Sequence, residues 1–289
     1  MINASQVKEL REKTGAGMMD CKKALVETKG NLEEAITWLR EKGIMKAAKK
    51  ADRIAAEGAC NFVIKGNKAV VYEVNCETDF AAKNQLFRDL VEKLGQAIIN
   101  SQAHNTEEAL AAKTADGTVN DTIINATATI GEKISLRRVQ VLTKTADQIF
   151  GAYSHMNGKI VVVDTVNGKD EAVAKDVCMH VAAMNPRYLN RDQVDQAELA
   201  KEREVLVQET INEGKPAPII DRIVAGKVDK FLKSICLVDQ MFVKNPEQTV
   251  AAYLKSNQCE VVKYVRLEVG EGIEKKQDDF AAEVMAANK

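Results

Sequence analysis

A chain of 289 residues is long enough for one large domain or for two or three ordinary ones. It is 45% hydrophobic and 29% charged with four prolines, a composition that excludes wholesale disorder. With 41 Lys and Arg against 42 Asp and Glu, the net charge of −1 argues against nucleic acid or an anionic membrane as the main partner; no apolar run approaches the ~20 residues that span a bilayer, and Met1-Ile2-Asn3-Ala4-Ser5 is not an export leader.

The first stretch reads as three short helices. Ser5 is placed to cap one that carries Val7 and Leu10, and Thr14-Gly15-Ala16-Gly17 breaks it. Met18, Cys21 and Leu25 stripe a second, ended by Lys29-Gly30. Asn31 caps a third, where Leu32, Ala35, Ile36 and Leu39 recur at helical spacing. The basic, alanine-rich run from Ile44 to Arg53 reads as a semi-helical, solvated linker, with a domain boundary near residue 54.

Beyond it the period changes. Ala59–Ile64 and Lys68–Asn75 are strand-like around Gly66-Asn67, a hairpin. Thr78 is expected to open one long helix through Ile99, and a further helix leads to a strand over Ile134–Leu142 whose Arg137-Arg138 is expected on an outward, solvated face. The plan then repeats: Ile149–His155 and Lys159–Val166 flank Asn157-Gly158, a two-residue hairpin signal, followed by a helix over Lys169–Met184, a helix started by Pro246, and a strand over Glu260–Val269. Strand, strand, helix, helix, strand twice over implies an internal duplication. Inserted in the second copy, residues 194–235 predict a helical hairpin broken at Gly214-Lys215-Pro216-Ala217-Pro218. Its second helix has an apolar face of Ile220, Val224, Val228, Phe231 and Ile235. Both a projecting hairpin and one lying flat on its domain fit that pattern.

Catalytic signatures are missing. No phosphate loop, Gly-x-Ser-x-Gly or His-Glu-x-x-His occurs, and His104, His155 and His180 share no ligand spacing. A hydrogen-bonded helix histidine fits His180 better than a catalytic base. The cysteines at 21, 60, 76, 178, 236 and 259 form no Cys-x-x-Cys pair and lie among aliphatic residues, as buried thiols of a cytoplasmic protein would. The chain is therefore expected to be an interaction protein, not an enzyme. One candidate contact is Asn75-Cys76-Glu77-Thr78-Asp79-Phe80, where a strand meets a helix capped by Thr78. Phe80 is in register with Phe87, Val91, Leu94 and Ile98 and fits the first position of the core stripe. Lys83 and Asn84 interrupt that stripe, which equally fits an exposed anchor.

Thr14-Gly15-Ala16-Gly17-Met18-Met19-Asp20-Cys21-Lys22-Lys23-Ala24-Leu25 and Glu73-Val74-Asn75-Cys76-Glu77-Thr78-Asp79-Phe80-Ala81-Ala82-Lys83 closely resemble the two signatures of the translation elongation factor Ts family. Ile130-Gly131-Glu132, Met179-His180-Val181-Ala182-Ala183 and Val269-Gly270-Glu271-Gly272-Ile273-Glu274-Lys275 extend the resemblance over essentially the whole chain. It implies an α+β fold. A three-helix domain resembling a ubiquitin-associated (UBA) domain would span 1–54, and duplicated core subdomains with antiparallel sheets 55–147 and 148–187 with 238–272. A coiled-coil-like hairpin would span 188–237 and a C-terminal helical module 273–289. It also implies a guanine-nucleotide exchange factor for elongation factor Tu, with no cofactor of its own, because GDP and magnesium are held by that GTPase. The resemblance assigns partner contact to Thr78, Asp79, Phe80, Ala81 and Ala82, and contacts made through the core to Ile130 and, in the second hairpin turn, to His155. Further contacts would be Met18, Met19 and Lys22 in the N-terminal domain, Phe242 and Val243 in the second core subdomain, and Asp279 and Phe280 in Asp278-Asp279-Phe280-Ala281-Ala282, an echo of the Thr78–Ala82 segment.

Overall fold

The computed structural model describes residues 2–274. The segment expected as a C-terminal module, with Asp279 and Phe280, lies from residue 275 onward outside the described residues. The architecture is mixed α and β with antiparallel sheets, as the sequence leads one to expect.

Three helices come first: α1 (Ala4–Thr14), α2 (Met18–Glu27) and α3 (Leu32–Ala48). The cap of α1 is Asn3 and not Ser5. Asn3 accepts from the Gln6 amide while the Gln6 side chain accepts from the Asn3 amide, a reciprocal pair that Ser5 is two residues too late to make. Leu10, Cys21, Ala24, Leu25 and Ala35 close the small core, with Trp38 and Leu39 against it. The basic run at 46–53 is semi-helical and mostly exposed, and two of its lysines are tied down. Helix α3 continues through its start, Lys46 pairs with Asp20 at 3.0 Å, and the Lys50 ammonium donates to the Gly131 carbonyl.

Then follow β1 (Glu57–Lys65), β2 (Lys68–Cys76), α4 (Asp79–Lys83), α5 (Gln85–Ile99), α6 (Thr106–Leu110), a small ladder of β3 (Lys113–Thr114) and β4 (Gly117–Thr118), α7 (Val119–Ile130) and β5 (Ser135–Thr143). The strands pair antiparallel in the order β1-β2-β5. Strand β2 is buried on both faces and so reads as a continuous apolar run. Val70, Tyr72 and Val74 meet Phe87, Val91, Leu94 and Ile98 of α5, while Ala69 and Val71 face the other way. Helix and sheet approach closely at Gly95. A Cβ there would stand 2.1 Å from the Tyr72 hydroxyl, which donates to the Val91 carbonyl at 2.7 Å.

The second sheet takes β6 (Gln148–His155), β7 (Ile160–Asn167) and, at the end, β10 (Glu260–Glu268), in the order β10-β7-β6. Between β7 and β10 come α8 (Glu171–Met184), α9 (Gln196–Asn212), α10 (Ala217–Ile235), β8 (Met241–Phe242), β9 (Asn245–Thr249) and α11 (Val250–Ser256). In each sheet a hairpin is joined on the side of its second strand by a strand arriving after helices, the repeated connectivity legible in the sequence. Cys60, Ala69, Val71 and Leu142 of the first sheet pack on Val161, Val163, Val265 and Leu267 of the second. Pro246 starts no helix. It sits in β9, where a bulged two-strand ladder tolerates a residue without an amide hydrogen, and Thr249 caps α11 instead by accepting from the Ala252 amide. Helices α9 and α10 pack on each other, and at their base Val194, Leu232, Ile235 and Cys236 form a cluster separate from the sheet cores, so the hairpin projects. All six cysteines are buried and unpaired. Among the described residues no helix is long and apolar enough to cross a membrane.

Arg137 and Arg138 are not on a solvated face. Both reach the fully buried Glu73 carboxylate at the junction of the two sheets. The alternation rule fails here because β5 carries an irregularity opposite Glu73 and Val74, which turns both guanidinium groups toward one carboxylate.

Candidate protein-docking site

The expected single helix from Thr78 to Ile99 is two helices. Asn84 is extended, with φ −67° and ψ 139°; it closes α4 after one turn, and its side chain caps α5 by accepting from the Leu86 amide at 2.9 Å. The extended residue shifts the helical register, so Phe80 leaves the line of Phe87 and Val91 and stands 81% exposed at the tip of α4. Phe80 is therefore not part of the core stripe. Thr78 caps α4 by accepting from the Ala81 amide at 3.2 Å. Asp79 is half-exposed and paired with Lys83 at 2.6 Å, whose hydrogen bond holds its carboxyl below the ordinary carboxylate range. Ala81 is buried against the first-sheet core and Ala82, half-buried, packs on it, so these two help to moor the turn; Thr78, Asp79 and Phe80 face outward.

A cleft of about 350 Å³ separates this tip from the β6–β7 turn, with Asp79 and Lys83 on one wall and Met156 and Asn157 on the other. The turn is not the two-residue Asn157-Gly158 type. His155 pairs with Ile160, leaving four residues in the loop, and Met156 and Asn157 are left-handed at φ 49° and 54°. Gly158 is required by contact with β1: its carbonyl accepts from the Cys60 amide at 2.7 Å, and a Cβ would stand 2.6 Å from the Cys60 carbonyl oxygen. Lys159 pairs with Glu57 at 2.6 Å. These bonds hold the turn beside α4 and leave Met156 exposed, a residue that sequence patterning does not single out; a large apolar side chain just before Asn-Gly is the signal that would have found it. His155 is exposed, with its Nδ1 3.1 Å from the Tyr153 hydroxyl.

The remaining candidates lie elsewhere. Met18, Met19 and Lys22 are exposed at the start of α2, Met19 at 76%. Ile130 is half-buried at the end of α7, against the first-sheet core. Phe242, expected at the partner surface, is buried. At 2% exposure it is core, stacked on Tyr253 with ring centroids 4.2 Å apart, while its neighbours Met241, Val243 and Lys244 are exposed. The amide of Val243 donates to Nδ1 of His180, so the ring proton sits on Nε2 and is donated to Gln240 Oε1 at 2.9 Å. Burial pushes His180 below its ordinary value, and the ring is a neutral structural group. Among the described residues no cluster of His, Cys, Asp and Glu is arranged to hold a metal ion.

Residues 77–271 match the family described as Elongation factor TS. The chain is 56% identical over 290 residues to Elongation factor Ts of Acholeplasma laidlawii (strain PG-8A), covering 99% of this chain and 98% of that relative. It is 53% identical over 284 residues to Elongation factor Ts of Lactiplantibacillus plantarum (strain ATCC BAA-793 / NCIMB 8826 / WCFS1), covering 98% and 97%.

Proposed function

The chain belongs to the elongation factor Ts family, and on that premise we propose that it is a cytoplasmic guanine-nucleotide exchange factor that binds elongation factor Tu carrying GDP and promotes GDP release during translation elongation. The observation that carries this reading is Phe80, a fully presented aromatic ring on a capped, one-turn helix beside an ionised Asp79. Burying such a ring in a partner is worth about 1.5–3 kcal/mol, enough to displace partner side chains. Phe80 would occupy space beside the partner's magnesium and diphosphate, and Asp79 would fix the approach through a hydrogen bond or ion pair. Disturbed magnesium coordination removes charge that holds the diphosphate. Factor and nucleotide then weaken each other's binding reciprocally, and GTP later displaces the factor. Nothing covalent happens on this chain, and GDP and magnesium stay the partner's ligands. Met18, Met19 and Lys22 would supply a second contact from the three-helix unit, which we read as the UBA-like domain, and His155 and Val243 contacts from the second core subdomain.

The test is GDP release from purified elongation factor Tu under increasing factor. Phe80→Ala is expected to lower the saturated release rate about thirtyfold, the loss of a hot-spot ring of about 2 kcal/mol; an unchanged saturated rate would refute the role of the ring. Met19→Ala is expected to raise the factor concentration at half-saturation about fivefold with little change in the saturated rate, since an exposed anchor remote from the tip contributes affinity. A collapse of the saturated rate in that variant contradicts this division.

A further inference from the structure

Helix α4 is five residues long, and one turn fixes too few hydrogen bonds to hold itself in place. Besides the packing of Ala81 and Ala82 on the first-sheet core, the start of α4 is held by the loop after α7. Gly131 ends α7 in the left-handed conformation at φ 90°, and the next residue, Glu132, turns its carboxylate onto the start of α4. Its Oε2 accepts from the amides of both Glu77 and Thr78 at 3.0 Å, and its Oε1 accepts from the Thr78 hydroxyl at 2.6 Å. With its proton given to Glu132, the Thr78 hydroxyl oxygen is oriented to accept from the Ala81 amide, the bond that caps the helix carrying Phe80. Glu77 answers in the other direction, accepting from the Lys133 amide at 2.6 Å. The Lys133 ammonium in turn donates to the carbonyls of Ala51 and Arg53 at 2.6 and 2.9 Å, so the loop is anchored to the segment that follows α3.

We propose that Glu132 is the positioning residue for the Phe80 tip, acting through Thr78 and not by touching the partner. This rests on the exchange-factor reading of the same site. A carboxyl group that bridges two amides and a hydroxyl fixes all three donors at once, and it satisfies donors at the start of α4 that one turn of helix leaves open. Without it the cap loses its orientation, α4 frays, and the ring spends less time in the inserting geometry. Misplacement of an acting group lowers a rate more than it lowers binding.

The experiment measures GDP release from elongation factor Tu over a range of factor concentrations for wild type, Phe80→Ala, Glu132→Ala, Glu132→Gln, Thr78→Ala and the Glu132→Ala/Thr78→Ala pair, with amide hydrogen exchange on the free proteins. Glu132→Ala is expected to lower the saturated rate about tenfold while half-saturation moves less than about threefold, and to speed exchange at residues 77–82 while the β1–β2 ladder keeps its protection. Glu132→Gln, which retains one acceptor oxygen, falls between the two and keeps the question answerable if the alanine variant folds poorly. Because both residues act in one chain of bonds, the double variant should be no slower than the slower single one. The proposal is overturned if the saturated rate of Glu132→Ala or Glu132→Gln equals wild type while Phe80→Ala is slow, or if the two substitutions multiply. An unaltered rate in Phe80→Ala strikes instead at the reading of the site itself.

Discussion

Glu73→Ala is expected to cost about 3–5 kcal/mol in urea unfolding at pH 7, because it strands two guanidinium groups at a buried junction. The Glu73 side chain is wholly inaccessible. Its Oε1 accepts from Asn75 Nδ2 at 2.9 Å and the Gly270 amide at 2.8 Å, and its Oε2 from Arg137 Nη1 at 3.0 Å and Arg138 Nε at 2.5 Å. The same arginines cross to the other sheet, Arg138 to the Glu268 carbonyl at 2.7 Å and the Glu271 carboxylate at 2.9 Å, Arg137 to the Glu271 carbonyl at 2.6 Å. One carboxylate thus ties β2, β5 and the end of β10 together. Burial alone would push Glu73 up, but the Gly270 amide, Asn75 and Arg138 outweigh it and hold the carboxyl below its ordinary value. The unfolded chain therefore binds the extra proton between the folded value and about 4.3, and the stabilisation present above that window is lost as the pH falls through it. Wild type should lose stability more steeply than Glu73→Ala on the acid side, because the variant keeps only the share of the other lowered carboxylates. A loss below about 1 kcal/mol at pH 7 would mean that the arginines find other partners.

Asp164→Asn is expected to have the opposite sign. Asp164 is also wholly buried, but no cation reaches it: Oδ1 accepts from the Gly151 amide at 2.8 Å and Oδ2 has no partner. Burial pushes its carboxyl up to about 7. Between about 3.9 and that value the folded chain holds the extra proton, so this group withdraws stability as the pH rises through the window. At about 1.4 kcal/mol per pKa unit, the full cost by pH 8 is roughly 4 kcal/mol. An asparagine keeps the oxygen facing Gly151 and carries no charge. The variant should match wild type near pH 4 and exceed it by about 2–4 kcal/mol at pH 8, read from paired urea titrations at the two pH values. Parallel stability curves for the two proteins would show that Asp164 does not titrate in this range. The two carboxylates share depth and differ in neighbours, and the neighbours decide the sign.

Local signals were strong wherever one short-range interaction decides a structure. Gly66-Asn67 between alternating strands is a two-residue turn because residues 65 and 68 pair across it. The helical spacing of Phe87, Val91, Leu94 and Ile98 survives as the buried face of α5, and the repeated order of strands and helices is legible because each copy buries its own hydrophobic pattern. Reading failed where two local preferences compete. Asn84 continues a helix by spacing but caps one by chemistry, and the cap wins. Pro246 fits a helix start and a bulged ladder alike, and Thr249 makes the better cap. Phe242 sits among residues that suggest a surface segment, yet Tyr253 stacks on its ring from a helix eight residues further along the chain.

By itself the sequence determined the class of fold, the absence of familiar catalytic signatures, the family, and Thr78-Asp79-Phe80 as a capped strand-to-helix corner. Only the tertiary structure decided which side of that corner faces outward, that Met156 comes to stand across a cleft from Asp79, and that Arg137 and Arg138 point inward to Glu73. The reason is reach. Periodicity and capping act over three or four residues, whereas Glu132 and Thr78 are 54 residues apart, Gly158 and Cys60 almost a hundred, and Gly270 and Glu73 197. Such pairs meet only after the sheets have packed, and no pattern along the chain records which of them will.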